Sequence, residues 1–184
     1  IRRLTVERKV PVDTLYMAFH MCNRHDKNYY TFDLITDILS NGRSSRLVQN
    51  LTQKKKLFTS IDSYISGSLD EGLLQITGKP APGISLEKAE EAIWQELEVL
   101  KTQPVSDNEL EKVKNRYESE QIFNNINYLN VATNLAYFEL LGNAEAINTE
   151  VDRYRSVTQE QIQDIARQTF IQDNCNILYY KSIQ

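Results

Sequence analysis

Residues Tyr29 to Lys56 read YYTFDLITDILSNGRSSRLVQNLTQKKK, a pattern of two helices hinged at Asn41-Gly42. Tyr30, Leu34, Ile35 and Ile38 fall close to helical spacing and form one apolar stripe. Asn-Gly punctuates the run because both residues tolerate positive φ. Ser44 or Ser45 can cap the second helix, which carries Leu47, Val48 and Leu51. Lys54, Lys55 and Lys56 follow and suit the negative end of a helix dipole.

Upstream of this run, residues 1–11 are basic and mixed and read as a linker or an edge segment. From Val12 to Met21, Leu15, Met17 and Phe19 alternate with Tyr16, Ala18 and His20. Apolar residues on both faces predict an interior strand covered on at least one side. Downstream, Leu57 to Ser66 is rich in β-branched and aromatic residues, among them Phe58, Ile61, Tyr64 and Ile65. A turn at Gly67–Gly72 leads to a second strand, Leu73 to Gly78, so the pair reads as an antiparallel hairpin stopped by Pro80, Pro82 and Gly83.

Helices follow. Ser85 caps one that runs to about Lys101, with Ala89, Ile93, Leu97 and Leu100 on its buried face. Ser106 and Glu109 have the spacing of a capping box, and Leu110, Val113 and Tyr117 set the face behind them. Asn124, Asn125, Asn127 and Asn130 predict a break or a functional surface between Ile122 and Leu129. Val131 to Leu141 resumes an apolar pattern closed by Gly142. Ala144 to Tyr154 reads as a short helix. Thr158 with Gln161 opens the last one, lined by Ile162, Ile165, Thr169 and Phe170, and Asn174 to Tyr180 is a final strand. Strands gathered in hairpins rather than in β-α-β units give an α+β class, a two-layer sandwich with a mainly antiparallel sheet backed by helices. Residues 1–184 read as a single domain.

A chain of 184 residues can bury roughly 70% of the surface its unfolded form exposes, so it needs neither disulfides nor a metal to fold. No apolar run approaches the ~20 residues of a membrane span. The net charge of -4 argues against a nucleic-acid binder. Cys22 and Cys175 lie in opposite halves of the chain and read as small buried thiols, although one bridge is feasible if their strands are neighbours. The first residue is Ile1 rather than Met, which suggests a fragment of a longer chain.

His20, Cys22, His25 and Asp26 are the potential metal ligands that cluster in sequence, but their spacing matches no strong zinc pattern. Ser40 to Arg46 has the makings of an anion site at a helix start, against the simpler reading of a capped helix–helix turn. Asp107, Glu109, Glu111, Glu118 and Glu120 read as exposed helix acids, since nothing around them implies the burial that acid catalysis requires. There is no His-x-x-Glu-His, no phosphate loop and no Gly-x-Ser-x-Gly elbow. On this reading the chain has no catalytic, cofactor-binding or metal-binding residues of its own.

The run Asp33 to Leu47, DLITDILSNGRSSRL, resembles the hinge of the second domain of insulinase/pitrilysin/mitochondrial-processing-peptidase-like zinc peptidases, which are inverzincins. Gly72-Leu73-Leu74-Gln75-Ile76, Lys79-Pro80 and the later Ser106-Asp107-Asn108-Glu109-Leu110-Glu111-Lys112 follow in the family's order, and the similarity spans roughly Val12 to Tyr180. What the resemblance implies is a C-terminal domain without zinc, packed on a zinc-bearing N-terminal domain or partner subunit and forming part of a chamber for peptide or unfolded polypeptide substrates. Zinc is then expected in the parent or partner and not in this chain. Catalytically complete members place an arginine and a tyrosine just after the hinge helix; the matching positions here are Thr52 and Thr59. A threonine supplies neither a bidentate cation nor a phenolic donor for an oxyanion. A scaffold or peptide-binding protein of the same fold without catalysis is the alternative. No nucleic acid and no membrane span are expected, and a bacterial cytoplasm or periplasm is the expected setting.

Overall fold

The computed structural model describes residues 2–67 and 69–183. Within them the chain is a mixed α+β two-layer sandwich, an antiparallel sheet backed by helices. The strands β1 (Arg2–Arg8), β2 (Thr14–Met21), β3 (Phe58–Ile65), β4 (Gly72–Pro80) and β5 (Cys175–Ser182) form a five-stranded sheet in the order β1-β5-β2-β4-β3. Neighbours run antiparallel except β1 and β5, which pair in parallel from Arg2 opposite Asn176 to Arg8 opposite Ser182. The turn expected at Gly67–Gly72 includes Ser68, which lies outside the described residues.

The alternation in the sequence becomes the two faces of this sheet. Leu15, Met17 and Phe19 of β2, Leu74 and Ile76 of β4, and Cys175 and Ile177 of β5 are buried beneath the helices. Tyr16 of β2 and Tyr64 of β3 stand exposed on the opposite face, as does Leu4 of β1. Phe19 anchors the helical layer, meeting Trp94 and Phe170 edge-on at centroid distances of 5.7 and 5.1 Å.

The helices are α1 (Tyr29–Ser40), α2 (Leu86–Thr102), α3 (Asp107–Asn124), α4 (Tyr128–Leu140), α5 (Glu150–Arg155) and α6 (Gln159–Thr169). The expected stripes of α1 and α2 are buried. Ser85 caps α2 by accepting from the Lys88 amide, and α6 begins with both bonds of the Thr158–Gln161 capping box. The asparagine-rich stretch breaks α3 from α4. Gly142, at φ 96°, closes α4 with its amide on the Glu139 carbonyl while Asn143 reaches Phe138, a Schellman ending.

Two expectations change. The helix after the hinge is α-helical only at residues 46–47: Val48–Lys54 is a π-helix, and neither the Ser44 nor the Ser45 side chain caps it. Residues five apart share a face in a π-helix and diverge in an α-helix. Asn50 and Lys55 thereby both reach Glu96 of α2, at 2.7 and 3.0 Å. The segment expected as one helix at Ala144–Tyr154 is a 3-10 turn, Ala144–Thr149, followed by α5.

Candidate functional site

The hinge is built from short-range hydrogen bonds. Gly42 alone takes the left-handed conformation, at φ 99°, while Asn41 stays at φ -81°. The Ser45 hydroxyl, fully buried, donates to the Gly42 carbonyl at 2.6 Å. At the end of α1 the Ser40 hydroxyl donates to Asp62 at 2.9 Å and accepts from the Ser63 amide at 2.7 Å, which fastens the hinge to β3.

Arg46 leaves this hinge and forms a two-armed ion pair with Glu109, Nε to Oε1 and Nη2 to Oε2 both at 2.8 Å. This corrects the capping-box expectation at Ser106. The Ser106 hydroxyl does accept from the Glu109 amide, but the Glu109 carboxylate turns to Arg46 and not back to the cap. The SSRL hinge and the Ser-x-x-Glu-Leu helix start, 63 residues apart, are therefore one assembly. Lys112 adds a 3.1 Å bond to Ser44. Arg46 is held by a carboxylate through Nε and Nη2, its Nη1 is buried without a hydrogen-bond partner among the described residues, and Ser45 is turned onto Gly42, the geometry of a helix–helix turn.

Thr52 is half-buried on the π-helix, its hydroxyl enclosed and without a hydrogen-bond partner among the described residues. Thr59 is exposed on β3, donating to the Lys79 carbonyl at 3.1 Å. His20 lies exposed on β2, Cys22 just past that strand's end, and His25 on the surface, while Asp26 accepts from the Asn28 amide. Among the described residues no group of three or more His, Cys, Asp or Glu side chains is placed to hold a metal ion. Although β2 and β5 are neighbours, Cys175 lies opposite Phe19, and both cysteines are free thiols.

A second constellation forms where α1, α3, α4 and α5 meet, around a cleft of about 290 Å³. Arg24 forms a buried ion pair with Glu150, and Tyr30 bridges them, accepting from Arg24 at 3.1 Å and donating to Glu150 at 3.3 Å. The guanidinium also sits over the Tyr29 ring, 4.4 Å from its centroid. Burial works against this cation, but the Tyr30 hydroxyl and the Glu150 carboxylate outweigh it and raise its pKa. Burial raises the Glu150 carboxyl, with Arg24 pulling the other way. Burial likewise pushes the Tyr29 phenol up to about 12. Deeper in, Tyr154 donates to Asp33 at 2.6 Å and stacks on Tyr117 at 3.5 Å. The outer wall is amide-rich, with Gln121, Asn124, Asn125 and Asn134 lining the cleft beside Tyr137.

The sequence expectation covered part of this wall, in the asparagine run, and missed its floor. Arg24 and Glu150 are 126 residues apart, and no local pattern joins a loop arginine to the first residue of a two-turn helix. The break before Glu150 is itself visible only in the structure, since Ala144 to Tyr154 reads as one helix in the sequence.

The peptidase M16 inactive-domain family matches residues 2–117. Over 172 residues the chain is 25% identical to the uncharacterized zinc protease YmxG of Bacillus subtilis, covering 93% of this chain and 42% of that protein. A protease structure from Helicobacter pylori superposes with a TM-score of 0.91 at 20% identity, over 97% of this chain and 44% of that one. An inactive peptidase domain from Bordetella parapertussis superposes with a TM-score of 0.86 at 21% identity, over 97% of this chain and 95% of that one. The chain thus spans less than half the length of the Bacillus and Helicobacter relatives.

Proposed function

From the premise that the chain belongs to the peptidase M16 inactive-domain family, we propose that it is the non-catalytic companion of a zinc-bearing peptidase domain. It packs on that domain, in the same chain or in a partner subunit, and forms part of the wall of a chamber for peptide or unfolded polypeptide. In the parent the zinc-bearing domain activates water at the metal, and this domain contributes shape and contacts.

The observation that carries the reading is the outer surface of α4 and the tip before it. Leu129 and Leu140 are 73% and 66% exposed, and Ile122, Phe123, Ile126 and Tyr128 are 61%, 70%, 72% and 89% exposed. Five of these side chains, from Ile122 to Leu129, gather at the tip between α3 and α4, and apolar surface gathered in this way is what a partner covers. The helical side of α4 buries Phe138 alone, so the helix gains most of its burial from a neighbour.

Scaffolding without catalysis is the second reading, and the threonines at positions 52 and 59 favour it. No helix among the described residues is long and apolar enough to cross a membrane. The bacterial sources of the Bacillus, Helicobacter and Bordetella relatives support a bacterial origin, with a cytoplasmic or periplasmic setting as part of the proposal.

The test is zinc content and peptide hydrolysis of the native assembly, purified without chelator. About one zinc per zinc-bearing domain, together with cleavage of an unstructured peptide, is the expected result. A zinc-free, inactive assembly overturns the peptidase reading in favour of the scaffold.

A further inference from the structure

We infer that the cleft between α1, α3 and α4 is a subsite for a short, uncharged stretch of extended polypeptide, held by side-chain amides over an aromatic floor. The inference rests on the chamber-wall reading above and names the part of the wall that touches the peptide.

Three observations lead to this occupant. The side-chain amides of Gln121, Asn124, Asn125 and Asn134 line the cleft, and none of them makes a hydrogen bond within the described chain. Each offers two donors and an acceptor, the same set a peptide backbone needs. Next, the charges of the cleft are already matched. The charged lining residues, Arg24 and Glu150, are paired with each other, and both bond to Tyr30. Nothing is left over to recruit a phosphate, a carboxylate or a metal. Finally, Tyr29 and Tyr137 are half-buried there, offering ring surface to an apolar side chain while the amides take the backbone. At about 290 Å³ the cleft admits a short segment, not a folded domain.

The arrangement also separates two surfaces. Ile122 and Phe123 lie outside the lining of the cleft, on the apolar tip assigned above to a packing partner, whereas Gln121, Asn124 and Asn125 of the same stretch face the cleft. One helix end thus serves a dry interface and a wet recognition site.

The experiment titrates the native protein into a fluorescein-labelled ten-residue peptide with blocked ends and no charged side chain, read by fluorescence anisotropy. Saturable binding is expected. The double variant Gln121→Ala/Asn134→Ala is expected to weaken it about tenfold, the value of two lost hydrogen bonds. Lys88→Ala, exposed on α2 and outside the lining of the cleft, is expected to leave it unchanged. Unfolding midpoints of the variants are compared with the parent, so that a folding defect is not read as lost binding. Absence of saturable binding, binding indifferent to the double variant, or displacement of the peptide by chitohexaose overturns the subsite. If the subsite fails while the native assembly holds zinc and cleaves peptide, the companion reading stands without it. If the amides bind peptide in a zinc-free, inactive assembly, the subsite stands and the peptidase reading falls.

Discussion

Arg46 and Glu109 hold the hinge against the start of α3 through two parallel hydrogen bonds of 2.8 Å. Both side chains are largely buried, at 16% and 18% exposure. The fork of a guanidinium matches a carboxylate in a way an ammonium does not. Arg46→Lys is therefore expected to cost about 1–2 kcal/mol and Arg46→Ala about 2–4 kcal/mol, because Glu109 is left without its partner in a poorly solvated place. Urea unfolding of these variants, completed to a double-mutant cycle with Glu109→Gln, measures the coupling. A coupling near zero would remove the pair from any structural role.

Asp37 gives the fold a pH dependence of unusual sign. Burial pushes its carboxyl up to about 6, with Asp33 and Glu120 adding to the effect and the Asn41 amide and Arg116 opposing it. The unfolded chain ionises this group near pH 4. As pH rises between about 4 and 6, the unfolded state releases a proton that the folded state keeps, so stability falls across that window. The loss amounts to about 3 kcal/mol above pH 7. Asp37→Asn keeps an acceptor for the 2.6 Å bond from Asn41 and is expected to stabilise the protein by up to that amount at about pH 7.5, with no gain below pH 4. Equal pH slopes in parent and variant would refute the assignment.

Gly78 lies under the Phe58 ring. A Cβ there would stand 2.5 Å from Cε1 of a side chain that is itself 2% exposed. Gly78→Ala is expected to destabilise by about 1–3 kcal/mol, the usual cost of overpacking. Phe58→Leu in the same chain should recover part of it. Thermal melts of the single and double variants decide the matter.

The two thiols differ in access and share low reactivity. Burial raises Cys22 to about 11 and Cys175 to about 12, with Asp26 and Glu90 respectively adding to it. At pH 8 both are almost wholly protonated, and it is the thiolate that reacts. Native protein is expected to label slowly at Cys22, which is half-buried, and at Cys175 only when the chain opens. Both should label promptly in denaturant. Fast labelling of Cys175 under native conditions would contradict its placement.

What the sequence made legible was local. The stripes of α1 and α2, the caps at Ser85 and Thr158 and the stop at Gly142 each depend on residues within a turn of one another. The π-helix was hidden because Leu47 and Leu51, four apart and both fully buried, fit an α-helix equally well. Glu109 carried a capping-box spacing, and only its distant partner Arg46 decided that the carboxylate would leave the cap. In β1, exposed at nearly every position, RRLTVER carries no burial pattern; its place at the edge depends on pairing with β5 and on Arg3 reaching Glu90 at 2.7 Å.

The position of β5 has a consequence for the order of assembly. It lies between β1 and β2, so both of those strands wait on β5, and the first pairing, Arg2 with Asn176, closes a loop from residue 2 to residue 176. Such distant contacts form late, because their loop entropy must be overcome before they return anything. The β3–β4 hairpin can form early, whereas β2 keeps one bare edge until residues 175–182 emerge. During synthesis, the interval before Cys175–Ser182 appears is when the nascent chain is most exposed to edge-to-edge aggregation.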